Sequence, residues 1–144
     1  MKNINLNAPV HSVQTISINS NIEKVWEILT EINQWKNWQK DITFAKIQGD
    51  PKPNTTFEWK SGGIKIKSRI HTNNVNQVFG WTGKAIGTRA IHNWSLSSQE
   101  NQTIVEVSES MEGLIPSMFK SAMSKKLHEG LNNWLGYLKD KCEN

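Results

Sequence analysis

Cys142 is the one cysteine in these 144 residues, and Arg69 and Arg89 are the only arginines. A lone cysteine excludes an internal disulfide framework and a multi-cysteine zinc site. Scarce arginine argues against nucleic-acid binding, where the guanidinium fork reads bases and phosphates, so no nucleic-acid partner is expected. No apolar run approaches the roughly 20 residues needed to span a bilayer, so no integral membrane segment is expected. Met1 to Val10 is polar and lacks the apolar stretch of a signal peptide, and the cytoplasm is the expected compartment. His11, His71, His92 and His128 fall on different elements with no pair at ligand spacing on one helix face, so neither a metal nor a cofactor is expected.

What is present is tryptophan: 7, against 1 tyrosine and 4 phenylalanines, in a chain only 36% hydrophobic. Each indole offers about 150–250 Å² for burial, so a few of them build much of a core. The length suits one domain, expected over residues 1–144, and recurring aromatic and β-branched residues argue against disorder. The formal net charge of +4 is mild. Lys60, Lys65, Lys67 and Arg69 carry part of it, mostly on the outer face of two strands; a solvated face is the simpler reading, docking to an acidic partner the other.

Residues 9–19 alternate as a strand, and Ser20 with Glu23 has the spacing of a capping box. The apolar residues Ile22, Val25, Trp26, Leu29 and Ile32 then keep helical spacing, and Trp35 and Trp38 follow in a short helical turn or loop. From Ile42 to Met111 alternating segments are separated by turn signals every 10–14 residues, which predicts an antiparallel meander of six strands. After Gly113, the stripe from Met118 and Phe119 to Leu138 predicts one helix of about six turns. The fold class is α+β: a curved seven-stranded antiparallel sheet wrapped around a long C-terminal helix, with two short helices after the first strand. One helix cannot fill a broad curved sheet, so a cavity between them is expected.

Centring each hairpin on its turn signal pairs His92 with Glu109, Trp94 with Val107, Trp81 with His92 and Phe79 with Trp94. It also pairs Ser68 with Trp81 and Phe57 with Ile66. All apolar positions then share one face, as a half-buried sheet requires. Thr55, Ser68, Trp81, His92 and Glu109 form one row across it. Phe57, Trp59, Ile66, Phe79, Trp81, Trp94 and Val107 are the expected sheet wall. Met118, Ala122 and Met123 are the expected helix wall, and Ser68, His92 and Glu109 supply polar groups. Apolar walls with a few convergent polar groups describe a small-molecule pocket. Trp35 and Trp38 would either form its mouth or plug one end of the core.

The chain resembles the START-like, helix-grip (SRPBCC) superfamily, and within it the polyketide cyclase/dehydrase branch. The resemblance rests on Ile18-Asn19-Ser20 leading into Val25-Trp26, on Trp35-Lys36-Asn37-Trp38 and on Phe79-Gly80-Trp81-Thr82-Gly83. His92-Asn93-Trp94 and Glu109-Ser110-Met111-Glu112-Gly113 extend it. It implies the helix-grip fold and a set of roles that includes lipid and polyketide binding, aromatase/cyclase activity, ubiquinone binding and chaperone activation.

The leading expectation is binding of a hydrophobic small molecule, aromatic, polyketide-like or lipid-like, with His92 and Glu109 as polar anchor and a monomer or weak homodimer as the assembly. A catalytic alternative makes His92 a general base oriented by Glu109 in a cyclase, dehydratase or isomerase. A second alternative is an adaptor docking through its basic convex face. No nucleophile motif supports catalysis: Ser68 lacks a flanking base, and Cys142 lies near the chain end.

Overall fold

A computed structural model describes residues 1–144. Seven antiparallel strands form one sheet in the order β1-β7-β6-β5-β4-β3-β2. β1 (Val10–Ile18) leads into helix α1 (Ile22–Thr30) and a 3₁₀ turn (Ile32–Asn37), which carry the chain to the far edge of the sheet. There the meander begins: β2 (Ile42–Ile47), β3 (Thr56–Ser61), β4 (Ile64–Asn74), β5 (Val78–Ala85), β6 (Thr88–Gln99) and β7 (Gln102–Glu112). Two helices follow, α2 (Leu114–Met118) and α3 (Lys120–Glu143). This is the curved sheet and long terminal helix expected from the sequence. No helix is long and apolar enough to cross a membrane.

The registers of β5, β6 and β7 follow the hairpin arithmetic: Phe79 faces Trp94, Trp81 faces His92, His92 faces Glu109 and Trp94 faces Val107. Two pairings are corrected. Phe57 lies opposite Ser68, not Ile66, because Gly62 and Gly63 (φ 55° and 81°) form a two-residue turn that directly joins Ser61 to Ile64. Ile70 rather than Ser68 lies opposite Trp81, because the β4–β5 turn closes at Asn74 and Val78, which moves the register three residues beyond the expected centring, and a bulge at Ile70–Thr72 takes one of them back. Both net errors are two residues, and the side-chain period is two, so the residues of β3, and of β4 up to the bulge, stay on their expected faces. Ser68 thus leaves the His92 row and faces Gly83.

The helix ends differ from expectation as well. Asn21, not Ser20, caps α1: its side chain accepts from the Lys24 N–H. The single C-terminal helix is broken at Phe119, whose φ −119° and ψ 41° are not helical. Ile115 packs against Gly87 and donates its N–H to the Gly87 carbonyl, which ties α2 to the β5–β6 turn. α3 instead lies along β1, β7 and α1, and one straight rod cannot meet both demands. Met118 and Phe119 consequently point outward, 64% and 54% exposed.

All seven tryptophans are buried, and Trp35 shows why they are so many. It comes from the 3₁₀ turn, is fully buried and donates its indole N–H to the Leu29 carbonyl. Its ring meets those of Phe57, Trp59, Trp81 and Trp134 at centroid distances of 5.1–5.7 Å. Trp134 of α3 also meets Trp38 and Trp94. All of these contacts but the tilted Trp35–Trp81 pair are edge-to-face, a geometry that adds to the apolar burial itself. The cluster bridges helices and sheet at one end of the concave face and fills it, so Trp35 and Trp38 act there as a plug.

The segment before β1 lies on the outer face. Asn93 Nδ2 donates to the Lys2 carbonyl, Asn5 N–H to Ser110 Oγ, and Asn5 Nδ2 to Glu112 Oε1. Gly80 is required beneath it, since a β-carbon there would collide with Asn93 Oδ1 and the His71 ring. Burial is the first cause holding the His71 pKa below its ordinary 6.5, and the nearby N-terminal charge adds to it.

Candidate functional site

The concave face is divided. Toward the β4–β5 and β6–β7 turns it carries bulk: Phe79, Trp94, Leu96, Val105 and Val107, all buried. Toward the β3–β4 and β5–β6 turns the same face carries Gly83, Ala85 and Ala90, and α3 faces it with Gly130. A β-carbon on Gly130 would have no atom within 4 Å. Small side chains on both walls leave a cleft of about 530 Å³ between the sheet and α3, within the ordinary range for small-molecule sites.

Of the residues expected to line a pocket, Trp59, Ile66, Trp81, His92, Glu109 and Met123 border this cleft. Phe57, Phe79, Trp94 and Val107 do not; they are buried against the tryptophan plug and the helices. Ser68 is 3% exposed, and its hydroxyl accepts from the Trp59 indole N–H, so it is occupied in holding that ring. Met118 and Ala122 are exposed, turned away by the break at Phe119. The expected helix wall therefore shifts C-terminally, to Met123, Leu127, Leu131 and Trp134. Among the residues not anticipated, Gly83, Ala85, Ala90 and Gly130 carried a readable signal, being small residues where face parity or helical spacing aims inward.

The polar centre is His92 with Glu109. Their side chains come from directly opposed positions on β6 and β7, and His92 Nδ1 is 2.6 Å from Glu109 Oε1. The imidazole also lies flat on the Trp81 indole, 4.3 Å between centroids and 6° between planes. These two contacts fix both the position and the tilt of the ring. With Glu109 as a carboxylate and the imidazole neutral, Nδ1 carries the hydrogen and donates it. His92 Nε2 then presents a lone pair, and it is buried without a hydrogen-bond partner. Unpaired buried polar atoms are rare because each forfeits its hydration. Here the atom belongs to a residue bordering the cleft. Asp41, Lys126, Glu129 and Asn133 make the rim polar. Cys142 is buried elsewhere, and burial pushes its thiol up to about 11.

The model of the family described as polyketide cyclase / dehydrase and lipid transport matches residues 9–143. No curated protein matches the chain. Among solved structures, a hypothetical protein from Helicobacter pylori superposes with a TM-score of 0.84 at 16% identity, over 99% of this chain and 97% of that one. The Zhui aromatase/cyclase from a Streptomyces superposes with a TM-score of 0.81 at 12% identity, over 92% and 93%. A START superfamily protein from Mycobacterium smegmatis gives 0.78 at 14%, over 92% and 97%. Similarity at these identities establishes a shared fold.

Proposed function

The chain belongs to the polyketide cyclase/dehydrase and lipid transport family, and from that premise we propose that it binds a flat hydrophobic small molecule carrying a hydroxyl group. The ligand lies in the cleft between the sheet and α3. The observation that carries this reading is the unpartnered, buried His92 Nε2 in a site walled by Trp59, Trp81 and Trp134. An unsatisfied lone-pair acceptor on a residue that borders an apolar cleft selects a ligand that donates a hydrogen bond, as a phenol or enol does. Indole walls favour a planar ring system over a flexible acyl chain. The whole cleft is built from one chain, so the reading needs no second subunit.

Quenching of indole fluorescence by 2-naphthol, compared with naphthalene, tests it. Saturable quenching by the naphthol, with at least about tenfold tighter binding than the hydrocarbon, is the expected result; tenfold corresponds to about 1.4 kcal/mol. That preference disappears in His92→Phe, which keeps a ring on Trp81 but has no acceptor. Absence of saturable quenching by either compound overturns the reading.

A second reading has its own observation. A carboxylate 2.6 Å from one imidazole nitrogen, on a histidine that borders a cleft, is the arrangement of an oriented general base. The Glu109–His92 pair would then accept a proton at Nε2 from a bound carbonyl compound or phenol, as a cyclase or dehydratase requires.

A further inference from the structure

Five apolar side chains stand uncovered at the cleft end of the sheet. Ile64 beside the β3–β4 turn is 52% exposed, and Ile86 in the β5–β6 turn 83%. Leu114 and Met118 of α2 are 69% and 64% exposed, and Phe119 is 54%. The antiparallel registers bring these two turns and the end of β7 to the same end of the sheet, and the Ile115–Gly87 hydrogen bond holds α2 beside the β5–β6 turn. Scattered exposed apolar residues are ordinary; five gathered at one end of the sheet, two of them (Ile64 and Ile86) lining the cleft, are not.

The same end carries cations in an arrangement that costs stability. On the outer face Lys60 lies directly opposite Lys65, Lys67 opposite Lys84, and Lys84 opposite Arg89. Like charges in directly opposed positions repel. Lys67 approaches Glu58 at 3.7 Å, but both side chains are largely exposed, so the pair contributes little. Arg89 lies opposite Glu112, which also accepts from Asn5. Around the cleft, α3 opens with Lys120 and no acidic residue in its first turn, the reverse of what the helix dipole favours. Lys126 reaches the rim, where the acids are Asp41 and Glu129.

We propose that this end of the protein docks on an anionic lipid surface, with the apolar tips entering the headgroup layer, the surrounding cations meeting the headgroups, and the cleft facing the bilayer. The apolar residues stand on three separate elements, the β3–β4 turn, the β5–β6 turn and α2. A protein partner would need a matched recess for each, whereas a lipid interface accepts them in any spacing. Each cation near an anionic leaflet adds to the attraction, and the row of opposed lysines is stabilised once headgroups neutralise it. The proposal does not depend on what the cleft binds.

Co-sedimentation with phosphatidylcholine vesicles, with and without about one-third phosphatidylglycerol, tests it. The expected result is binding to the anionic vesicles only, weakened at least about tenfold between about 0.1 and 0.5 M salt. Leu114→Ser/Met118→Ser should weaken it by about tenfold and Lys65→Glu/Lys84→Glu by more. None of these four residues borders the cleft or belongs to the buried core, so the far-UV circular dichroism and cooperative urea unfolding of both variants should resemble the parent's and report an intact fold. Equal sedimentation with neutral and anionic vesicles, or none with either, overturns the proposal. Loss in the charge variant with full binding in the apolar variant, together with equal capture by polyglutamate, would also overturn it in favour of an acidic polypeptide partner.

Discussion

The imidazole of His92 is stacked on the indole of Trp81 at 4.3 Å while its Nδ1 meets Glu109 at 2.6 Å. Three consecutive strands, β5, β6 and β7, each supply one member of this set. Because backbone pairing sets the spacing, the ring needs little further support to be held in one orientation.

That arrangement predicts coupling between the two polar residues. Glu109→Gln keeps the volume but replaces the carboxylate, and should cost about 1–3 kcal/mol. His92→Phe keeps a ring over Trp81 and leaves Glu109 without its partner. The double variant should cost less than the sum of the singles, with a coupling of about 0.5–3 kcal/mol by urea denaturation. Strict additivity would mean that the pair contributes nothing as a pair.

Trp134 meets Trp35, Trp38, Trp59 and Trp94 and also borders the cleft. Trp134→Ala should therefore act twice. Stability should fall by about 3–5 kcal/mol, and the enlarged cleft should lose affinity for a two-ring ligand. Calorimetry and fluorescence titration of the same variant check both effects.

Gly130 lies in the middle of α3, facing the cleft, with free space where a side chain would begin. Gly130→Ala should stabilise the helix by about 0.5–1 kcal/mol. Gly130→Leu should keep the fold, since a β-carbon there meets no atom within 4 Å, yet narrow the cleft and weaken naphthol quenching. A leucine variant that binds the naphthol like the parent would place the ligand elsewhere.

His71 gives the protein an acid-side sensitivity. Its folded pKa is held below the ordinary 6.5, first by burial. Above 6.5 the residue is neutral in both states and has no effect on stability. As pH falls from 6.5 toward the lower folded value, the unfolded chain takes up the proton first, and stability declines. Urea denaturation from pH 7.5 downward should show this decline, reduced in His71→Gln.

Cys142 is buried, with its thiol pushed up to about 11. A thiol in that state reacts slowly at neutral pH because so little of it is thiolate. Labelling with a disulfide reagent should be slow in the native protein and complete within the mixing time in denaturant.

Much of this was already legible in the sequence. Alternation in β3 to β7, with turn residues between the segments, identified the strands, because a half-buried strand must alternate. The pairing of His92 with Glu109 followed from the short β6–β7 turn. The errors in register fell at two turns, the second followed by a bulge, where the net change in count was two, and a shift of two preserves the face. Hydrophobic spacing made Met118 and Ala122 look like a helix wall, since periodicity reports which side is apolar and not where a helix breaks.

The sequence by itself thus determined the order of β2 to β7 and the sided sheet, since these depend on local alternation and short connections. It also determined the approach of His92 to Glu109. The place of β1 beside β7 is a long-range pairing that the tertiary structure decided. Tertiary structure decided where the concave face is full and where it is empty. Trp35, Trp38 and Trp134 come from segments remote from the strands they cover, and their three-dimensional packing fills one end of that face. Gly83, Ala85, Ala90 and Gly130 then leave the other end open. An opening of this kind is a difference of volumes between distant parts of the chain, and no local pattern of residues records it.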